Sequence, residues 1–192
     1  MRRIKVGFTG TKNGMDADQK AELVVLFTRL VGEYDEIDFH HGDCVGADAQ
    51  AARLVDLVRR NLIREFGPNP SCRVKIVCHP GYPPNHPEVD KYRAFTTCND
   101  EIREPKPFIA RDHDIVDETD EMIATPVSEV EERASGTWTT VRYARKREKK
   151  VTVLNPKKLP KFDPHALPPV KTNAVSGETN LYGPTYRQRG IR

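Results

Sequence analysis

The sequence predicts an α/β fold with an open parallel sheet of about five strands and helices on both faces. Two features of the 192 residues predict it: short apolar runs alternate with segments of helical spacing, and glycine-rich turns follow three of those runs. Alternation at this spacing implies crossover connections, which join parallel strands and are almost always right-handed. The last part of the chain lacks this alternation of apolar and helical segments, and an extended C-terminal tail is expected there.

The first half of the chain contains two strand–helix units. Residues 4–9 are predicted to form a short strand, and Asp16 is placed to cap a helix whose apolar spacing continues to Val31. Residues 37–40 are predicted as the second strand, and a helix follows over about 47–66. The positions predicted to face the core are Leu23, Leu26, Phe27, Leu30 and Val31 in the first helix and Ala51, Leu54, Val55, Val58, Leu62 and Ile63 in the second.

The second half alternates in the same way around a long irregular segment. Residues 67–70 break the helix, and residues 73–78 are the third predicted strand. Prolines exclude regular structure after His79, and the chain is expected to stay irregular to about Pro107, as functional or mobile loops do. The remaining predicted elements are a helix over 108–118 with Phe108, Ile109, Ile115 and Val116 facing inward, a strand over 121–126, a helix over about 136–149 and a strand over 151–154. This order is typical of Rossmann-like domains.

We predict one domain over residues 1–154 and a Pro-rich basic tail over residues 155–192 that is extended or disordered. The tail has seven Lys and Arg against two acidic residues, so it contributes +5 to the net charge of +3 and leaves the domain at −2. A slightly acidic domain argues against nucleic acid as a partner. Because the sequence shows no signal peptide, membrane-spanning run or CxxC pair, we expect a cytoplasmic protein with reduced thiols and no membrane contact.

Three glycine-rich turns are the candidates for ligand binding. They comprise residues 7–11, 42–48 and 135–137, and each follows a predicted strand. In an open parallel sheet these strand ends share one edge, where glycine lets a ligand approach and helix N-termini offer N–H groups to an anion. Neither GxGxxG nor GxxxxGK[ST] occurs. The candidate ligand-binding residues are Gly10, Thr11, Gly42, Asp43, Gly46, Asp48, Arg111, Ser135, Gly136 and Thr137.

Four segments together resemble one known group of proteins. They are Gly-Phe-Thr-Gly-Thr at 7–11, His-Gly-Asp-Cys-Val-Gly-Ala-Asp at 41–48, Ala-Arg-Asp-His-Asp-Ile-Val at 110–116 and Gly-Thr-Trp at 136–138. In this order they resemble the SLOG superfamily, a Rossmann-like group that includes the LOG phosphoribohydrolases, the DNA-processing protein DprA, YspA/YpsA-like proteins and sensor domains of bacterial and phage conflict systems. The resemblance covers residues 4 to about 154.

The resemblance implies a ligand held through phosphate or ribose by the second and last turns, with Arg111 reaching into the cleft. In the LOG branch an arginine and a glutamate cleave an N-glycosidic bond. The arginine corresponds to Arg111, the candidate catalytic residue, but the glutamate position is Thr140 here. This difference leaves enzymatic activity open and favours a sensor or sequestering module for a nucleotide or nucleotide-derived molecule. The alternatives are LOG-type hydrolysis or transfer, and single-stranded DNA binding in the manner of DprA.

Other kinds of site and partner receive less support from the sequence. Six residues raise the question of a metal: His40, His41, Cys44, His79, His86 and His113. Their spacings match no zinc pattern, so no metal is expected. No cofactor is expected either, because the predicted ligand is a nucleotide or an ADP-ribose-like molecule. By analogy with the resembling family, we expect a homodimer.

Simpler roles stay open for three of the candidate ligand-binding residues and for Trp138. Arg111 can instead form a surface ion pair with Asp114 or Asp117. Asp48 can serve the dipole of its helix alone, and Asp43 can be a turn residue or an N-cap. Trp138 can pack in the core rather than stack on a ligand base.

Overall fold

The structure is a computed structural model that describes residues 1–67, 70–83 and 93–157. Within these ranges the chain forms four α-helices and a six-stranded parallel sheet, with a separate pair of two-residue strands. The elements in chain order are β1 (Arg3–Gly10), α1 (Ala17–Glu33), β2 (Glu36–His41), α2 (Ala47–Phe66), β3 (Arg73–Cys78), β4 (Gly81–Tyr82), β5 (Glu101–Ile102), β6 (Lys106–Pro107), α3 (Phe108–Glu118), β7 (Glu121–Thr125), α4 (Gly136–Lys146) and β8 (Lys150–Val153). The predicted fold class is confirmed.

The strand order places β1 at the centre of the sheet. The order is β5-β3-β2-β1-β7-β8, and every neighbouring pair is parallel. The chain builds outward from β1 through β2 and β3, then returns to the other side of β1 with β7 and β8. In sheets of this kind, ligands bind beyond the carboxyl ends of the strands where the order reverses. That position here is the edge between β1 and β7.

Helices cover both faces of the sheet. On one face, Leu23 and Phe27 of α1 and Ala51 of α2 belong to the core cluster that contains Phe8 of β1. On the other face, α3 and α4 pack together against β7, where Met122 lies in a second buried cluster. The two apolar clusters on opposite faces hold the central strands in a fixed position.

Capping side chains fix where two of the helices begin. Asp16 accepts a hydrogen bond from the Gln19 backbone N–H at 2.7 Å, and the Gln19 side chain accepts one from the Asp16 N–H at 3.1 Å. This capping box confirms the predicted start of α1. Ser135 caps α4 by accepting from the Trp138 N–H at 3.4 Å. The start of α4 is therefore held at the edge where ligands bind in such folds.

Three predictions about individual elements are wrong. The segment expected to be irregular contains three short strands: Glu101–Ile102 pairs with the end of β3 and adds a sixth strand, and Gly81–Tyr82 pairs with Lys106–Pro107. Ile109 is 62% exposed, because the buried face of α3 is formed by Arg111, Ile115 and Val116. Ile63 is 43% exposed, because the buried positions of α2 all lie in its first half and the helix then runs beyond the core.

Part of the predicted tail and of the proline-rich segment lies outside the described residues. Those parts are residues 84–92, which include His86, and residues 158–192. The predicted boundary between domain and tail stays a prediction. In the described ranges, no helix combines the length and the apolar character needed to cross a bilayer.

Candidate functional site

A cleft of about 810 Å³ opens at the carboxyl edge of the sheet. Four parts of the chain supply its walls: the end of β1 and the turn after it, the turn that leads into α2, the start of α3, and the segment between β7 and α4. Its lining residues are Phe8, Thr9, Gly10, Thr11, Lys12, Asn13, Cys44, Val45, Asp48, Phe108, Arg111, Asp112, Val127, Glu132, Ala134, Ser135, Gly136 and Thr137. The cleft therefore lies where the topology favours a ligand.

The predicted ligand-binding residues fall into two groups in the structure. Those that line the cleft are Gly10, Thr11, Asp48, Arg111, Ser135, Gly136 and Thr137. The other three, Gly42, Asp43 and Gly46, do not line it. The first and last glycine-rich turns therefore meet at one cleft, and the middle turn reaches it through Cys44, Val45 and Asp48. Whether these residues bind a ligand stays a prediction.

Gly46 joins the first two turns to each other. It has φ = 103°, in the left-handed region, and a Cβ at this position would collide with the Lys12 carbonyl oxygen. The neighbouring Ala47 N–H donates to the Thr11 carbonyl at 3.0 Å. Only glycine allows the two backbones to approach this closely, so Gly46 shapes the wall of the cleft from behind.

Arg111 lies under the cleft as a buried anchor. Its side chain is 5% exposed, and Nη1 donates to the carbonyls of Gly42 at 2.6 Å and His79 at 3.1 Å. Nη2 donates to Cys44 Sγ at 3.3 Å, and Nε lies 2.7 Å from Asp112 Oδ1. Arg111 thus ties the ends of β2 and β3 to α3. The resemblance implies an arginine that reaches towards a ligand, but most N–H groups of this one are bonded within the protein.

Gly42 is required by this anchor. A Cβ at residue 42 would collide with the guanidinium of Arg111 and lie 2.6 Å from Asp48 Oδ2. The glycine therefore admits a cation and a carboxylate next to the backbone at the end of β2. It thereby seats Arg111 against its own carbonyl.

Two carboxylates, Asp48 and Asp112, line the cleft together with Arg111. Burial raises the pKa of Asp48 to about 6, although Arg111 opposes the shift. Burial also raises the pKa of Asp112, again against Arg111. Conversely, burial alone would lower the pKa of Arg111, but Asp112, Cys44 and Asp48 outweigh it and raise that pKa. Arg111 therefore stays charged, forms an ion pair with Asp112 and favours the ionised form of Asp48.

Thr140 supports one of these carboxylates. Its Oγ1 lies 3.3 Å from Asp112 Oδ2 and 3.1 Å from the Gly136 carbonyl, both of which can accept its proton. The carboxylate absent from position 140 thus has a counterpart on α3, at Asp112. Sequence reasoning missed Asp112, because consecutive residues of a helix do not usually face each other, and only the structure shows its ion pair with Arg111.

Cys44 contributes a thiol to the cleft that is not activated. Burial and the neighbouring Asp48 raise the pKa of Cys44 to about 11, although Arg111 opposes the shift. A thiol with this pKa is protonated at neutral pH, and the thiolate is the nucleophilic form. The arrangement therefore gives no support to covalent catalysis by Cys44.

The start of α4 provides hydrogen-bond donors. Gly136 and Thr137 lie in the first turn, where backbone N–H groups have no acceptor within the helix and carry a partial positive charge. A Cβ added to Gly136 would meet no atom within 4 Å, so the space beside it is open. With Lys12 on the opposite turn, these N–H groups form what we call the donor group of the cleft.

Asp43 and Trp138 have structural positions. Asp43 is fully buried and accepts hydrogen bonds from Thr96 Oγ1 at 2.6 Å, from the Thr96 N–H at 3.1 Å and from Arg93 Nε at 3.0 Å. It holds the chain that returns after residue 92. Trp138 packs with Ala124 and Val141 in the core, which is the simpler of its two predicted roles.

Comparison with known proteins identifies similar solved structures, whereas no protein-family model and no curated protein sequence matches the chain. A molybdenum cofactor binding protein from the phototrophic bacterium Rippkaea orientalis is 17% identical, aligns over 82% of this chain and 79% of its own, and has a TM-score of 0.53. The fold is Rossmann-like. A molybdenum cofactor carrier protein from Chlamydomonas reinhardtii is 16% identical over 81% of this chain and 78% of its own, with a TM-score of 0.44.

One prediction from the sequence has to be corrected. The sequence predicts no cofactor and a nucleotide or an ADP-ribose-like ligand, whereas the similar structure is that of a protein that binds the molybdenum cofactor. The expectation of no cofactor is therefore wrong. The residue pattern does not separate the two types of ligand, because glycine-rich turns and a helix N-terminus accept the phosphate of either.

Proposed function

We propose that this chain binds the molybdenum cofactor, or a pterin of the same type, and holds it intact as cargo. The observation that carries the proposal is the cleft of about 810 Å³ whose lining combines hydrogen-bond donors with carboxylate acceptors. Its size falls within the usual range for small-ligand sites, about 300–1,000 Å³. The proposal is supported by the fold, which is shared with a molybdenum cofactor binding protein.

The donor group suits the phosphate of such a ligand. The N–H groups of Gly136 and Thr137 open α4, and Lys12 lies on the turn after β1. A helix N-terminus stabilises an anion through its free N–H groups and its dipole. The ammonium of Lys12 adds a full positive charge that the phosphate can approach.

The carboxylates Asp48 and Asp112 suit the ring of a pterin, and we call them the acceptor group of the cleft. The ring edge of a pterin carries N–H donors, and a carboxylate accepts from two such donors at once. Both residues line the cleft; Arg111 forms an ion pair with Asp112, and the Cys44 N–H donates to Asp48 at 3.4 Å. Apolar contact for the ring is available from Phe8 and Val45, which also line the cleft.

The same residues favour retention of the ligand without turnover. The bound cofactor supplies the redox chemistry of molybdenum, and the residues of this chain bind and shield it. The Cys44 thiol is protonated at neutral pH, and Arg111 is held by Gly42, His79 and Asp112. Asp112 is nevertheless a carboxylate in the cleft beside Thr140. Hydrolysis of an N-glycosidic bond therefore stays a second candidate function, and the ligand-panel experiment below tests it as well.

We also propose that the chain is a member of the SLOG-type group within Rossmann-like proteins. All four resembling segments contribute residues to one cleft: the turn after β1, the turn that ends with Asp48, the segment of α3 with Arg111, and the start of α4. Arg111 also donates to the carbonyl of Gly42 in the second segment. Support for the proposal thus comes from contacts between segments that are distant in sequence.

Native mass spectrometry with a ligand panel tests the proposed function. The full chain is incubated without oxygen with purified molybdenum cofactor, and separately with nucleoside monophosphates, NAD and ADP-ribose. We expect one intact cofactor per subunit, not displaced by a hundredfold excess of any nucleotide. Binding of nucleotides alone, or release of a free base, would contradict the proposal. The same spectra report the number of subunits and so test the predicted homodimer.

A further inference from the structure

A second polar cluster lies apart from the cleft, on the face of the sheet that α3 covers. It consists of His40 in β2, His79 directly after β3, and Glu118 at the end of α3. His40 Nδ1 lies 2.9 Å from His79 Nε2 and 3.9 Å from Glu118 Oε2, and all three ligand atoms lie within 4.8 Å of one another. None of the three residues lines the cleft. We call them the histidine cluster.

Both histidines are buried and electrically neutral. His40 is 1% exposed and His79 is 2% exposed. Burial lowers the pKa of His40 to about 4, with Asp38 and Glu101 opposing and Lys5 and Arg103 assisting the shift. Burial together with His40, Arg103, Arg111 and His41 lowers the pKa of His79 to about 3. Neutral imidazole is the form that binds a metal.

The hydrogen bonds within the protein leave His40 incompletely satisfied. His40 Nδ1 faces His79 Nε2, so one of the two rings must donate to the other. In either tautomer, His40 Nε2 is a buried polar atom that has no hydrogen-bond partner among the described residues. Two buried imidazole nitrogens 2.9 Å apart have to share either a proton or a metal ion, and an ion bound at Nδ1 leaves the ring proton of His40 on Nε2.

We propose that His40, His79 and Glu118 bind a divalent transition-metal ion of the zinc type. Two imidazole nitrogens and one carboxylate oxygen are a donor set that zinc uses, with ligand atoms about 2.0–2.2 Å from the ion. Three donors within 4.8 Å of one another need only small side-chain rotations to reach one ion. A fourth position is left for water or another ligand, and imidazole selects zinc over magnesium or calcium.

Arg103 competes with the ion for Glu118. Its Nη2 lies 3.1 Å from Glu118 Oε2, and its Nη1 lies 3.0 Å from Glu101 Oε1. The guanidinium thus neutralises the carboxylate that the metal would use. Binding of the ion has to displace this contact, after which Arg103 keeps its partner Glu101. Removal of Arg103 should therefore strengthen metal binding, whereas removal of the carboxylate should weaken it.

Calorimetric titration with Zn²⁺ tests the proposal on the full chain after removal of metals by a chelator. We expect one Zn²⁺ per subunit. Glu118→Gln and His79→Gln should each weaken binding at least tenfold, and Arg103→Gln should strengthen it severalfold. His113→Gln is the matched control, because His113 stacks on Tyr143 outside the cluster, and it should bind as the wild type does.

Two kinds of result overturn the proposal. One is the absence of stoichiometric Zn²⁺ binding in the wild type. The other is binding that does not respond to Glu118→Gln and Arg103→Gln, or that is removed by Cys44→Ser and so belongs to the cleft. Glu118 is half-buried at the end of a helix, so its variant is expected to fold, and thermal unfolding checks this. The test is independent of whether a pterin binds in the cleft.

Discussion

At the scale of single residues, Arg111 determines how the cleft is built. Its guanidinium donates to the carbonyls of Gly42 and His79 and forms an ion pair with the adjacent Asp112, so it joins α3 to two segments that are distant in sequence. Removal of one partner of a buried ion pair typically costs about 3–5 kcal/mol, because the other charge is left unpaired. We therefore propose that Arg111 mainly maintains the architecture of the site. It can contact a ligand only through the part of its side chain that lines the cleft.

The pH dependence of binding tests the acceptor role of Asp48. Burial raises the pKa of Asp48 to about 6, so its carboxylate accepts hydrogen bonds above pH 6 and becomes protonated below it. Because the pterin needs the ionised form, affinity should fall by about tenfold at one pH unit below that pKa. The measurement is the dissociation constant of the cofactor between pH 7.5 and pH 5.

Asp48→Asn is the control for this pH dependence. The variant should bind the cofactor weakly at pH 7.5. Its affinity should show no further decrease towards pH 5 that can be attributed to residue 48. Any titration of the ligand phosphate persists in both proteins and can be subtracted. An equally steep decrease in the variant would show that Asp48 does not accept from the ligand.

At the scale of elements, the turn after β1 and the start of α2 form one unit. Gly46 precedes α2 with φ = 103°, and its neighbour Ala47 donates to the Thr11 carbonyl. Gly10 is packed just as closely, because a Cβ there would collide with Ala47 and lie 2.5 Å from Thr125 Oγ1. Close backbone contact between two strand–helix connections gives the cleft one rigid wall.

Gly46→Ala should destabilise the fold by on the order of 2 kcal/mol or more. The change forces a left-handed φ on a residue with a Cβ and drives that Cβ into the Lys12 carbonyl. Gly32→Ala is the matched control, since Gly32 lies in α1 and a Cβ there meets no atom within 4 Å. The control should be neutral or stabilising by about 0.5–1 kcal/mol. Urea unfolding measures both, and equal stabilities would refute the assigned role of Gly46.

Most elements could be predicted because their signals are local. The Asp16 and Gln19 capping box and the glycine after Phe66 mark helix ends directly in the sequence. The strand at Glu101–Ile102 could not be predicted, because two residues carry no periodicity and the strand exists only by pairing with β3. The exposure of Ile109 depends on which face of α3 packs inward, which a helix of three turns does not reveal in its sequence.

The candidate site could be predicted only in part for the same reason. The glycine-rich turns at Gly10 and Gly136 follow predicted strands, and topology brings such turns to one edge. The internal role of Arg111 depends on carbonyls at Gly42 and His79, which are far from it in sequence. The histidine cluster likewise joins residues of two strands and a helix end, a spacing that no linear metal motif contains.

At the scale of the whole molecule, the strand order separates two places where chemistry can occur. The reversal at β1 creates the cleft at the carboxyl edge, between helices that pack on opposite faces. The histidine cluster lies on one face, between β2, the end of β3 and the end of α3. They are linked through His79, whose side chain belongs to the cluster and whose carbonyl holds Arg111.

The most direct test of the cleft compares two substitutions at Gly136. Both Gly136→Asp and Gly136→Asn place a side chain of the same shape in open space at the start of α4, so both should fold. Only the aspartate adds a negative charge where the donor group is proposed to hold the phosphate. We predict that Gly136→Asp binds the molybdenum cofactor at least tenfold more weakly than Gly136→Asn, by equilibrium titration. Equal dissociation constants for the two variants would contradict the account.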